Sequence, residues 1–215
     1  MLGDTAIRTY RAAGALAILA AVGYQQGKGL AAGNWHTANY FSYFTILSNL
    51  FAAGILLAGA LRGSGPRSET VDMLRGAAVM YMLTTGLVYA VLLSGGKVST
   101  PWVNAVHHKI MPLVMIADWV IDPPQTRLQL RRTLLWLSFP LVYILYTLIR
   151  GSIVNWYPYF FVNPHHSGGY LAVTAGCLAI GLGMICLIAL ITWAGNRRAS
   201  AVERFPTAFS PSPES

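Results

Sequence analysis

Apolar residues along this chain come in six long blocks, separated by short polar stretches. A bilayer core takes about 20 mostly apolar residues per helix. The blocks over 8–26, 39–61, 73–94, 103–121, 133–150 and 169–194 meet that length and predict six membrane-spanning helices. The first block is apolar only from Ala12, so Arg8 and Arg11 are expected to snorkel. No clear small-residue cleavage site follows it, so it is expected to stay as a helix. Gly63-Ser64-Gly65-Pro66 and Asp122-Pro123-Pro124 are turn chemistry between blocks. Short connections of this kind predict an all-α bundle over 1–196. The remainder, 197–215, carries three prolines and several serines and is expected to be a disordered cytoplasmic tail.

Composition agrees with that pattern. The chain is 55% hydrophobic and 10% charged, with a mean hydropathy of +0.52, where soluble domains carry roughly 25% charged residues. The formal charge of +8 does not imply a nucleic-acid partner, because its distribution follows the spans. Arg8, Arg11, Arg62, Arg67, Arg75, Arg127, Arg131, Arg132, Arg197, Arg198 and Arg204 fall on one side, and Lys28, Lys97 and Arg150 on the other. Eleven against three, in phase with six spans, predicts cytoplasmic N- and C-termini in a multi-pass protein of the cell membrane. Cys177 and Cys186 would lie roughly 13 Å apart on one helix, too far to pair. Gly176, Gly181 and Gly183 are small residues that permit close helix contact. No internal repeat or pair of broken helices marks a transporter.

Against this background two polar clusters stand out, because polar groups are expensive in hydrocarbon. Ser42, Thr45, Ser48 and Asn49 lie in the second block, and His107-His108-Lys109 in the fourth. Both clusters fall roughly 6–9 Å below the outer boundary by helical rise. On a continuous helix Ser42, Thr45 and Asn49 share a face, with Ser48 at its border. Such groups also serve as ordinary glue between helices. Adjacent histidines point about 100° apart, so only one faces a given target. A histidine within reach of a threonine hydroxyl is the minimum for nucleophilic catalysis. The oxyanion donors stay open among Asn49, Ser48 and Tyr40. Pro112 should kink the fourth helix. Asp118, roughly 15 Å from His108 along the helix, is too far for a direct triad and sits where it would cap or anchor the far end. Asn155-Trp156-Tyr157-Pro158-Tyr159-Phe160-Phe161 is aromatic enough to anchor at the interface or to cap the bundle. All five histidines fall in the outer half without carboxylates, and no HExxH or CxxC spacing occurs, so no metal or other cofactor is expected.

Three motifs carry a family resemblance: Tyr40 through Asn49, His108-Lys109-Ile110-Met111-Pro112 with Asp118-Trp119, and Arg150-Gly151 through Trp156-Tyr157-Pro158-Tyr159. In that order, across about residues 8–190, they resemble a bacterial integral-membrane family related to the eukaryotic androgen-induced proteins. Those relatives are threonine hydrolases of fatty acid esters of hydroxy fatty acids. The resemblance implies Thr45 as nucleophile. Spacing from Pro112 favours His107 as the base; spacing from Asp118 favours His108. Ser42, Ser48, Asn49, Asp118, Trp156 and Tyr157 would supply polar support or substrate contacts. A lipid ester would enter between spans two and four from the surrounding membrane lipids. The rival expectation is a non-catalytic bundle that binds lipid or conducts a proton or small molecule, with a cavity continuing toward Asp118.

Overall fold

Ser68 begins the most plainly encoded helix. Its hydroxyl accepts from the Val71 N–H at 3.4 Å, and Glu69 and Asp72 occupy the first turn, where carboxylates offset the positive end of the helix. Pro101 opens another helix at its first position, where the missing N–H costs nothing. Asn155 ends a third in the left-handed conformation (φ 50°) that favours short polar residues.

The computed structural model describes residues 3–33, 35–62, 66–96, 98–166 and 168–203, with side chains to 197. Regular elements among them are all helical. The α-helices are α1 (Asp4–Ala31), α2 (Thr37–Tyr40), α3 (Phe44–Leu61), α4 (Glu69–Val88), α5 (Pro101–Ala105), α6 (Met111–Ile121), α7 (Leu130–Thr133), α8 (Ser138–Val154) and α9 (Gly169–Glu203). A π-helical turn, Tyr89–Leu93, extends α4. A second, Val106–Ile110, joins α5 to α6. A 3₁₀ turn, Leu134–Leu137, joins α7 to α8.

Six helical runs therefore alternate in direction. Arg11 of α1, Arg75 of α4 and Asp118 of α6 meet at one end. The segment from Leu128 to Thr133 and the C-terminal half of α9 join them there through Thr133–Thr192 and Leu128–Asn196 contacts. At the other end Lys28 reaches Thr100, and Arg150 reaches Asn39. Ile18, Leu56, Met80, Met82, Met111, Met115 and Ile188 are buried between the runs. Five stretches, Asp4–Ala31, Phe44–Leu61, Glu69–Leu93, Leu130–Val154 and Gly169–Arg197, are long and apolar enough to cross a membrane. Their outward faces carry Leu16, Val91, Leu135, Leu171 and Leu190, all exposed, as in a multi-pass membrane protein. The sixth run, Pro101–Ile121, is not among those five. It spans roughly 30 Å, but His107, His108, Lys109 and Asp118 lower its hydropathy.

Several expectations change. The second block is not one helix from residue 39: the chain turns at 41–43 between α2 and α3. Ser42 therefore lies in a turn, and Thr45 lies in the first turn of α3. Arg11 does not snorkel; it is buried against Asp118 and Asp122, which face it from the end of α6. Gly181 and Gly183 do not mediate helix contact, since a Cβ on either would meet nothing within 4 Å. Helix α9 extends to Glu203, into the segment expected to be disordered. The rest of that tail, with the Gly63-Ser64-Gly65 turn and Lys97, lies outside the described residues.

Candidate functional site

The first turn of a helix leaves backbone N–H groups without intrahelical partners. In α3 two of these are capped by tyrosines from distant segments. The Phe44 N–H donates to the Tyr143 hydroxyl at 3.2 Å, and the Thr45 N–H donates to the Tyr159 hydroxyl at 3.2 Å. Tyr143 in turn donates to the Ser42 carbonyl at 3.0 Å, and the Ser42 and Tyr146 hydroxyls lie 2.8 Å apart. These bonds hold the break before α3 and fix the direction in which Thr45 projects.

The Thr45 hydroxyl oxygen lies 3.3 Å from His108 Nε2 and 3.3 Å from the Tyr159 hydroxyl. His108 is oriented from its other side. Its Nδ1 is 3.2 Å from the Asn104 carbonyl, which can only accept, so Nδ1 carries the proton and Nε2 presents a lone pair to Thr45. The Tyr89 ring stacks on the imidazole at 4.3 Å between centroids, and Asn104 Nδ2 donates to the Tyr89 hydroxyl at 2.7 Å. The π-helical turn that carries His108 is followed by Pro112. Gly86 of α4 lets this segment approach closely: a Cβ there would lie 3.2 Å from the His108 carbonyl and 3.1 Å from Pro112 Cγ. Wide turns of this type recur at functional sites.

His107 points elsewhere. Its ring is buried, its Nε2 has no hydrogen-bond partner among the described residues, and its carbonyl accepts from Asn49 Nδ2 at 3.3 Å. Asn49 Nδ2 also donates to the Thr45 carbonyl at 2.8 Å. Asn49 thus ties the Thr45 segment to the His107–His108 segment through their backbones. Ser48 donates to the Thr45 carbonyl at 3.1 Å and contacts the Thr85 hydroxyl at 2.8 Å.

The structure does not bring Asp118, Trp156 or Tyr157 to Thr45. Asp118 pairs with Arg11 at 2.6 Å and Arg75 at 2.7 Å, in a network that also links Arg67, Asp72 and Asp122. Trp156 packs edge-on against Tyr43 and under Arg150, and Tyr157 covers Gly151. The residue of this aromatic loop that reaches Thr45 is Tyr159, which also packs on Tyr43. Burial pushes its phenol up to about 12, against the opposing pull of its hydrogen bonds with Thr45. It therefore keeps its proton through the neutral range. The aromatic character of the loop signals that it is not simply solvated, but nothing local separates Tyr159 from Tyr157.

A cavity of about 530 Å³ reaches Thr45. It lies between α4, α8 and α9, beneath the Tyr159–Val162 loop, and not between the helices bearing Thr45 and His108. Thr45 and Tyr159 are part of its wall and His108 is not. Among the described residues the wall holds no Asp, Glu, Lys, Arg or His. A second cavity of about 300 Å³ lies at the opposite end against Arg11, Arg67, Arg75 and Asp122, and shares no wall residue with the first. Asp118 lines neither. Among the described residues no three His, Cys, Asp or Glu side chains gather as metal ligands.

The arrangement can lower the cost of deprotonating a threonine hydroxyl at the edge of an apolar chamber, and it offers one neutral O–H donor beside that hydroxyl. No protein-family model, curated protein or solved structure matches the chain.

Proposed function

We propose that the protein is a six-span intramembrane hydrolase of lipid esters, with both termini cytoplasmic and the Thr45 end of the bundle toward the outer leaflet. The observation that carries the reading is the 3.3 Å approach of His108 Nε2 to the Thr45 hydroxyl, with His108 Nδ1 committed to the Asn104 carbonyl. A deprotonated Nε2 next to a hydroxyl is general-base geometry. The bond from Nδ1 to a carbonyl does the orienting work that a carboxylate does in a catalytic triad.

In the first step the Thr45 oxygen attacks the ester carbonyl and its proton passes to His108 Nε2. The tetrahedral oxyanion receives a hydrogen bond from the Tyr159 hydroxyl. Its collapse breaks the bond to the leaving alkoxide, which takes the proton from His108 and departs as an alcohol. Water then attacks the acyl-threonine and gives a proton to His108. Collapse of the second intermediate frees the fatty acid, and the proton returns to the Thr45 oxygen. The chemistry uses this chain's side chains alone. Between His107 and His108, the proposal takes His108 as the base.

Purified protein assayed on a panel of lipid esters tests this directly. Turnover by the wild type that Thr45→Ala and His108→Ala each abolish, with folding intact, is the expected result. Turnover indifferent to Thr45 would sink the mechanism. A second reading, a bundle that binds lipid without cleaving it, draws on His108 standing outside the cavity wall. It predicts lipid binding by the wild type with no hydrolysis of any ester.

A further inference from the structure

The long cavity has a shape and a chemistry that the Thr45–His108 pair does not explain. Along the 3₁₀ turn and α8 its wall extends from Leu137 to Ile144, and along α9 from Cys177 to Ile185. By helical rise these stretches are roughly 10 and 12 Å long. The cavity is therefore elongated along the helices, with the Thr45 and Tyr159 hydroxyls toward the loop and Leu137, Met184 and Ile185 deeper in the bundle. An uncharged wall accepts no ionic headgroup, because an unpaired charge there would be strongly disfavoured. Leu141, Leu178, Leu182 and Ile185 belong to the wall and are themselves exposed, 63%, 70%, 64% and 44% respectively. They lie on two of the helices long and apolar enough to cross a membrane. The mouth thus opens sideways, toward hydrocarbon.

Gly181 is the notable wall residue. A Cβ built on it meets nothing within 4 Å. In a membrane bundle glycine ordinarily lets helices approach. Here it leaves room that no neighbour fills.

We propose that this cavity is a channel for one acyl chain of an uncharged ester, entered between α8 and α9, and that the space left by Gly181 sets the chain length it accepts. The inference rests on the esterase reading for the ester carbonyl, which Thr45 and Tyr159 would meet. The chain-binding part stands on the cavity itself. A chain that leaves lipid for such a site gains no hydrophobic burial, since its methylenes were already out of water. Selectivity between chains comes from whether the channel has room for them.

The test uses full-length protein in detergent micelles. The probes are butanoyl and decanoyl esters carrying a photoactivatable diazirine at the chain end, with labelled residues located by mass spectrometry. Labelling is run on the Thr45→Ala protein, so that it does not depend on turnover. The expected result is decanoyl label on the deep walls near Leu137 and Ile185. Gly181→Phe should lower that labelling at least several-fold and spare butanoyl labelling. Leu141→Trp narrows the channel from the opposite wall at about the depth of Gly181 and should act the same way should Gly181→Phe fail to fold. Gly181→Ala, which adds little volume, should leave both probes unchanged. Label scattered over the outward leucines, Leu16 and Leu190 among them, and indifferent to both wall substitutions would overturn the channel. Labelling that follows Gly181 in a protein that cleaves no ester would keep the channel and reject the hydrolase.

Discussion

Tyr159 and Thr45 are 114 residues apart in sequence and joined twice in space: the phenol oxygen accepts the Thr45 N–H at 3.2 Å and lies 3.3 Å from the Thr45 hydroxyl. One side chain thus caps the start of α3 and stands beside the proposed nucleophile. Removing the hydroxyl in Tyr159→Phe separates these roles. The unpaired N–H should cost about 1–3 kcal/mol of stability. Loss of an oxyanion donor should lower kcat on the order of 10²-fold. Thermal unfolding and ester turnover, measured on the same preparation, read the two effects. A stability loss with unchanged kcat would reduce Tyr159 to a cap.

Tyr89 packs against the proposed base, His108. Its ring stacks on His108 at an interplanar angle of 24°, and its hydroxyl accepts from Asn104. Tyr89→Phe keeps the ring and loses one hydrogen bond; Tyr89→Leu loses the stack. Turnover should fall much further for Leu than for Phe, with substrate KM little moved in either. Equal losses in the two variants would show that the stacking does not position His108.

Gly86→Ala is a remote way to disturb the same pair. The added methyl would press on the His108 carbonyl and the Pro112 ring, and neither backbone nor proline ring yields easily. The expected outcome is a folded protein with turnover reduced at least tenfold and a weakened Thr45–His108 contact. Normal turnover would mean that α4 and the histidine segment can separate without consequence.

At the opposite end Asp118 neutralises Arg11 and Arg75 in a buried setting. Asp118→Asn leaves Arg11, Arg67 and Arg75 sharing two carboxylates, Asp72 and Asp122, and should destabilise by about 3 kcal/mol. Detergent-solubilised protein would show this as a lower unfolding temperature. The ester-cleaving activity per folded molecule should be unchanged, because Asp118 touches neither cavity. A catalytic defect without a stability defect would contradict the structural role.

Asp122 gives a pH signature. Burial alone would raise its carboxyl, yet the Arg67 and Arg11 hydrogen bonds and the Arg75 charge hold it below its ordinary 3.8. A carboxyl with a lowered folded-state pKa contributes stability above its unfolded value and loses it as the pH falls through the folded one. The unfolding temperature should therefore drop below about pH 4, and Asp122→Asn should flatten that part of the curve while lowering stability near neutrality. An unaltered acid limb in the variant would assign the acid sensitivity to other carboxylates.

Sequence alone determined the helical runs, because hydropathy is a local property of twenty or so consecutive residues. It also singled out Thr45 and the His107-His108 pair, since polar groups in apolar blocks need no neighbours to be conspicuous. It did not determine which histidine faces Thr45: the wide turn at Val106–Ile110 and the Asn104 carbonyl decide that together. The break at 41–43 has no glycine or proline to announce it, and it persists because Tyr143 and Tyr159 supply caps from distant parts of the chain. Asp118 looked like a lone acid until α1 and α4 brought Arg11 and Arg75 to it. Gly181 looked like a packing residue, and only the tertiary arrangement leaves open space beside it. Segments are encoded by short-range composition; contacts between segments depend on how the helices turn toward one another, which no local pattern specifies.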